Sequence, residues 1–278
     1  MDSLSAAVCA IPKQYRDQDI SIPNCLQANA FLVKSERGKY WEKSLVVTFP
    51  GRRQTLSTYD GLVDALAVVN HSAHPCLWKI VGQEFMNKDG CGGKSYVEHI
   101  RRKLADDLGL EHTSITKVAT AVDAENLAVV TKVFDPITVT VLVTAGVETN
   151  AIRAGTDMGT YIEGQEPPGT INIILLTNAV LSIGAMARAM VTATEAKAAA
   201  LQDLMVPSCY TPDVQATGTG TDSVIVVSGN HGPSIAYTGG HSRIGGMIGQ
   251  AVHEGVIAAL AKHEASERAR TLSIPEIA

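Results

Sequence analysis

The residues best suited to chemistry gather between positions 216 and 254. There Thr217-Gly218-Thr219-Gly220-Thr221-Asp222 runs into the apolar stretch Ser223 to Val227, and Gly239-Gly240 later delivers His241 and Ser242 just ahead of a helix. Glycine allows positive φ and a close approach of backbone to ligand, which turns amide N–H groups and neighbouring hydroxyls toward whatever is bound. Three hydroxyls and one carboxylate in such a loop make a polar pocket wall. The same loop also reads as consecutive β-turns in which Asp222 accepts from a backbone N–H.

Other candidates fall where strands should end: Asn70 and His71, Glu148 and Asn150 in TAGVETNAIRAGTD, Asp157, and Thr192, Glu195 and Lys197 in TATEAK. Thr192 and Glu195, three apart on a helix, share a face, whereas Glu195 and Lys197, two apart, diverge. Either Glu195 points inward and Lys197 snorkels, or the reverse, and a solvated helix face would use such a pair equally well. For His71 the alternative to catalysis is a satisfied histidine at a strand end. His74, His99, His112, His231, His253 and His263 are expected at the surface.

Several functions are disfavoured. The segment GCGGKS (residues 90–95) imitates a phosphate loop, but that motif needs a glycine five positions before the Gly of its GK, and Lys88 stands there with no clear strand before it. Five scattered cysteines form no CxxC pair, so reduced thiols are expected, with neither a zinc knuckle nor a disulfide framework. No resident cofactor or metal is predicted, although Asp222, His241 and His71 could converge on a divalent ion if the fold joined the two halves. A formal charge of -5, with no basic run longer than Arg101-Arg102-Lys103, argues against nucleic acid as a partner. The first residues lack a basic start followed by an apolar core, so a cytoplasmic protein is expected. The uncharged stretch from Pro167 to Ala187 is broken by Gly169, Thr170, Asn172, Thr177, Asn178 and Ser182, and reads as strand, turn and helix rather than as a membrane insertion.

Stepping outward, these groups need a frame, and 278 residues can bury roughly three quarters of their unfolded surface. Residues 30–34 and 45–49 read as a hairpin, residues 50–61 as a polar loop, and residues 62–69 as helix or strand. A helix is predicted over 96–108, a strand over 114–121, a short helix over 124–130 capped by Asp123, and strands over 137–145 and 171–176. An Ala-rich helix over 181–204 places Ala185, Ala189, Ala193, Ala196 and Ala200 on one stripe that can lie close to a sheet. A strand over 224–227 and a helix over 244–261 follow, and the tail from Ser266 looks peripheral. Gly245, Gly246 and Gly249 invite close approach of another backbone, within the chain or across a homo-oligomer. Strands arrive in neighbouring pairs, so a single-domain α+β fold is predicted, with a mixed, largely antiparallel sheet and packed helices.

The blocks TAGVETNAIRAGTD, GTINIILLTN, TATEAKAAAL, ATGTGTDSVIVVS and TGGHSRIGGMIGQAV, in this order, resemble the adenosylcobinamide amidohydrolase family, also called CbiZ. The resemblance covers a family-like core over residues 114–265, while residues 1–113 diverge more, with an atypical segment between Pro75 and Leu110. It implies hydrolysis of the amide joining aminopropanol to the corrin ring of adenosylcobinamide, releasing adenosylcobyric acid. A cobalt corrinoid would then be the small-molecule substrate. Amide hydrolysis needs activated water or a nucleophile, an acid for the amine and donors for the oxyanion. Direct attack by water would use His71 or Glu195 as base, Asp222 and His241 as orienting groups, and Asn150 with loop N–H groups at the oxyanion. Asn70, Thr192, Lys197, Thr217, Gly218, Thr219, Gly220, Thr221 and Ser242 would contact substrate. The competing readings are a corrinoid or tetrapyrrole binder without turnover, and a hydrolase of a related macrocycle or amide.

Overall fold

The computed structural model describes residues 16–89, 92–158 and 169–272. The start read for a signal, with Cys9, lies outside them, as do Gly90 and Cys91 of the phosphate-loop look-alike. Gly92 to Ser95 open a helix that follows another helix, so no strand-to-helix phosphate cradle forms there.

One long strand organises the sheet. β3 (Tyr40–Ser57) follows β1 (Gln18–Ile20) and β2 (Asn29–Arg37), and a register shift between Thr48 and Arg53 divides it. Its first half pairs antiparallel with β2, its second half with β10 (Ser223–Val227), and its other edge with β4 (Gly61–Ala73). Beyond β10 the sheet continues through β8 (Ile171–Thr177), β7 (Ile137–Ala145) and β6 (Ala128–Phe134), and beyond β4 it ends at β5 (Ile115–Thr120). Pairing is mostly antiparallel; β8 with β10 and β4 with β5 are parallel. The short β9 (Val180–Leu181) and β11 (Ser234–Ile235) make a separate parallel pair. This nine-stranded, curled α+β arrangement is the predicted class.

Among the described residues four α-helices cover its outer faces: α1 (Pro75–Asp89), α2 (Gly92–Leu108), α3 (Ile183–Asp203) and α4 (Arg243–Leu272). Inside the curl, Leu45, Val47, Val68, Val118, Leu142, Ile174 and Ile225 meet. Outside, Val46, Val69, Tyr96, Ile100 and Leu104 pack α2 on one half, and Val143, Ile173, Val226, Ala189 and Val252 pack α3 and α4 on the other. Ala185, Ala189, Ala193 and Ala200 are fully buried, as the stripe requires. In α4 a Cβ at Gly255 would meet Val143 Cγ2 at 2.9 Å, so that helix also rides close to the sheet. Gly245 packs on the Gly239 carbonyl, a close approach within the chain. α4 is long and apolar enough to cross a membrane by composition, but 56% of that stretch is buried in the body.

Three expectations are corrected and one element is added. Residues 50–57 form strand rather than loop, because Arg53, Thr55 and Ser57 alternate inward and their polarity hid the period of two. Residues 75–89, for which no element was predicted, are helical. Asp123 does cap a helix, accepting from Glu125 N at 3.0 Å, but only a single 3-10 turn over Ala124–Asn126, after which β6 begins. The segment from Ser266 to Leu272 continues α4, and Arg270 reaches back to Asp123 at 2.8 Å.

Ala189→Leu forces extra methylenes between α3 and the sheet and should cost about 1–3 kcal/mol in urea unfolding. Arg268→Gln, at an exposed site on α4, should stay within about 0.5 kcal/mol. Equal effects would contradict the close helix-on-sheet contact.

Candidate functional site

β8 and β10 run parallel, so Ile171 and Ser223 open at the same end of the sheet, and the glycine–threonine loop lies there. The loop is anchored by an isolated bridge between Gly218 and Ile152, with Ile152 N donating to Gly218 O and Thr217 N to Ile152 O. Thr217 Oγ1 accepts from Ala154 N at 3.0 Å, and Gly220 takes φ 77. A Cβ at Gly218 would strike the Asp222 carboxylate and come within 2.6 Å of Lys197 Nζ, so glycine is required there by close approach.

Asp222 is the hub. One carboxylate oxygen accepts from Ile171 N at 3.0 Å and Thr219 Oγ1 at 2.6 Å; the other accepts from Thr219 N at 3.1 Å and from the Lys197 ammonium in direct contact. Four donors occupy its lone-pair positions, and the side chains of Lys197 and Asp222 are only 8% and 14% exposed. Lys197 spends one of its three protons on this contact. Around the pair, Thr221 Oγ1 donates to Gly169 O at 2.8 Å, lies 3.2 Å from Thr219 Oγ1, and accepts from the buried Asn150 amide at 3.3 Å. Asn150 also donates to Gly169 O.

A second polar group joins the first from inside the curl. Asn70 donates to Thr144 Oγ1 at 2.9 Å and accepts from Asn172 Nδ2 at 2.9 Å, while Asn172 also donates to Ala119 O at 3.0 Å. That last bond draws β5 toward β8. Thr170 Oγ1, 3.5 Å from Asn172 Oδ1 and 2.7 Å from Thr221 O, continues the chain to the loop. Asn70, Asn150, Lys197, Thr219, Thr221 and Asp222 therefore belong to one buried network. Thr144, Thr170 and Asn172 were not singled out from sequence; the available signal was an amide inside the apolar strand INIILLT.

The remaining candidates lie elsewhere. On α3 Glu195 is exposed and Lys197 buried, which settles which of the diverging pair faces in. Thr192 donates to Thr238 O at 3.0 Å, away from the loop. His241 is exposed, and Ser242 caps α4, accepting from Gly245 N at 3.1 Å; both follow the other end of β10. His71 occupies the opposite face of β4 from Asn70, beneath α1 and α2. Tyr96 donates to Glu42 at 2.5 Å, so His71 Nε2–H donates to Tyr96 at 3.0 Å and Nδ1 accepts from Ser44 Oγ at 3.0 Å. Rings of Trp78 and Tyr96 close over the imidazole. His71, Asp222 and His241 thus do not converge on one point.

His263, expected at the surface, is 9% exposed near the site, 3.1 Å from Glu148 and 3.3 Å from the Asn126 amide. Burial works against its protonation, but the hydrogen bond and charge of Glu148 outweigh it and raise the imidazole pKa, while His263 lowers that of Glu148 against the same burial penalty. Asp157, accepting from Arg153 N, Ser208 Oγ and Thr211 Oγ1, each at 2.6 Å, ties down the neighbouring loops.

Fold and cluster together define an α+β protein with a glycine-cradled lysine–carboxylate–hydroxyl site. Residues 30–268 match the adenosylcobinamide amidohydrolase family, and the chain belongs to that family. It is 39% identical over 236 residues, 80% of its own length and 87% of the relative's, to an uncharacterized protein of Methanocaldococcus jannaschii. It is 34% identical over 172 residues, 59% of its length and 74% of the relative's, to an adenosylcobinamide amidohydrolase of Methanosarcina mazei. To the Halobacterium salinarum adenosylcobinamide amidohydrolase it is 31% identical over 130 residues, covering 46% of this chain and 52% of that one.

Burial, and secondarily the charge of Lys103, depress the His71 pKa from 6.5 to about 3. The unfolded chain binds this proton at a higher pH than the folded one, so the associated stability is complete above pH 6.5 and drains away as pH falls toward 3. In His71→Gln the loss of unfolding free energy between pH 6.5 and 4 should be shallower than in the parent. An unchanged slope would show that this imidazole does not stay neutral in the fold.

Proposed function

We propose that this protein hydrolyses the aminopropanol amide of adenosylcobinamide to adenosylcobyric acid, at the Lys197–Asp222–Thr219 cluster. Family membership supports the reaction, and the observation that carries the location is a buried ammonium with protons to spare beside a hydroxyl already bonded to a carboxylate. Water attacks the amide carbon with its proton passing to Thr219 Oγ1 while the Thr219 proton passes to Asp222. Lys197 stabilises the oxyanion, and the proton held on Asp222 returns through Thr219 Oγ1 to the departing nitrogen. The proton lost by water ends on the amine, and no net charge is left on the protein. Asn70, Asn150 and Thr221 hold the cluster rigid, so its donors need not reorganise during reaction. Met158 and Met205, 84% and 79% exposed on loops flanking the cluster, offer apolar surface to a macrocycle. Glu195 and His241 have no part in this scheme, and His71 acts only as a core residue.

Purified protein incubated with adenosylcobinamide should yield adenosylcobyric acid and aminopropanol by mass spectrometry. Thr219→Val, which keeps shape and the Lys197–Asp222 pair, should lower kcat by about 10²-fold or more, and Lys197→Met at least as much. Glu195→Ala should stay within a few fold. Loss in Glu195→Ala with activity kept in Thr219→Val would move the chemistry to the outer face of α3, and binding without product in the parent would favour a corrinoid-binding role.

A further inference from the structure

The proposed mechanism leaves one buried charge unused. Arg53, on the second half of β3, is 3% exposed and lies where β8 and β10 finish, the opposite end of those strands from Asp222. Its Nε donates to Ser228 O at 2.7 Å and its Nη2 to Leu26 O and Thr177 O, both at 3.4 Å. These are neutral carbonyls. Nη1 makes no hydrogen bond among the described residues. Burial lowers the pKa of this guanidinium and no acidic neighbour offsets it.

Other buried cations of the chain are treated differently. Lys197 contacts Asp222, Lys43 meets Asp123 at 2.7 Å, and Lys117 lies between Asp60 and Glu98 at 3.4 and 3.2 Å. A buried charge is costly unless something of opposite sign meets it. Among the described residues Arg53 is the exception, with the face of Phe49 5.4 Å from its Cζ but no carboxylate, and beside it is space for such a group: a cavity of about 100 Å³ bordered by Arg53, Gln27, Asn178, Asn230 and His231, with no acidic residue in its wall. The side chains of Gln27 and His231 make no hydrogen bonds among the described residues. Two glycines shape the wall. Gly229 N donates to Ala179 O at 2.7 Å and Gly232 N to Asn178 O at 3.0 Å, and a Cβ on either would collide with the Asn178 carbonyl.

We propose that Arg53 and this cavity form a binding site for a small oxyanion, a phosphate or carboxylate group, received by the free edge of the guanidinium and the side-chain donors of Gln27 and His231. A planar fork of N–H donors suits such oxygens. The cavity is small, about 100 Å³, and its rim residues Gln27, Asn230 and His231 are exposed, so it takes the anionic group itself while anything attached to that group would lie in solvent. An occupant would tie β3, β8, β10 and the turn at Gln27 together. It would sit one strand length, roughly 20 Å, from the Asp222 cluster, and the inference does not rest on the amide-hydrolysis reading.

Thermal unfolding and calorimetry with sodium phosphate, methyl phosphate and acetate, each against sodium chloride of equal ionic strength, test it. One saturable site per chain is expected, raising Tm by on the order of 5 °C at a hundredfold excess over Kd. Phosphate above methyl phosphate would assign the site to a free ion; the reverse would assign it to the phosphoryl end of a larger ligand, and acetate alone to a carboxylate. Arg53→Met should abolish the shift. Should that variant not fold, Gln27→Glu supplies a carboxylate from the wall itself: Tm should rise without added anion and the response to anions should disappear. No saturable response beyond chloride in the parent, or a response retained in Gln27→Glu, would overturn the proposal.

Discussion

A carboxylate withdrawn from water must fill its lone pairs, and Asp222 meets that requirement with four donors from three pieces of chain. The start of β8 gives a backbone N–H, the glycine–threonine loop gives an N–H and a hydroxyl, and α3 gives the Lys197 ammonium. Removing either member of the ion pair would leave a buried charge unmatched, at a cost of several kcal/mol. The same contacts explain why Gly218 must be glycine, and they fasten the loop at Thr219. Site and fold are therefore held by one interaction, and the chemistry proposed for it needs no rearrangement of the frame.

Within an otherwise antiparallel sheet the frame embeds a parallel β4–α1–α2–β5 unit and, at the site, a parallel β8–α3–β10 unit. That crossover returns α3 to the end where both strands begin, which is how a lysine on the helix reaches an aspartate ahead of β10. The alanine stripe sets the distance: larger residues at 189 or 193 would lift α3 and pull Lys197 from the carboxylate. From inside the curl, Asn70 and Asn172 bind the β4–β5 side to the β7–β8 side through side-chain amides. Sheet curvature and the rigidity of the site share these bonds.

Much of this was legible in the residues. The Val/Thr-rich run over 137–145 is β7, and the Gly-Thr alternation before Asp222 marked the loop correctly because few other structures need that pattern. Spacing showed that Glu195 and Lys197 diverge, but not which faces inward, since that depends on a partner 25 residues away. Residues 50–57 escaped notice because their inward positions are Arg53, Thr55 and Ser57, so the usual apolar alternation was absent. His71 drew attention as a potential base, yet its neighbours Ser44, Tyr96 and Glu42 come from elements no local pattern could have placed around it. His263 escaped for the same reason: its partner Glu148 is 115 residues away.

The central claim is that the amide is cut beside Lys197 and Asp222. A crystal structure of the protein with adenosylcobyric acid bound tests it most directly. The account predicts the newly formed carboxylate within hydrogen-bonding distance of Lys197 Nζ and Thr219 Oγ1. A product carboxylate held instead near His241, or at the far end beside Asn230, would contradict it.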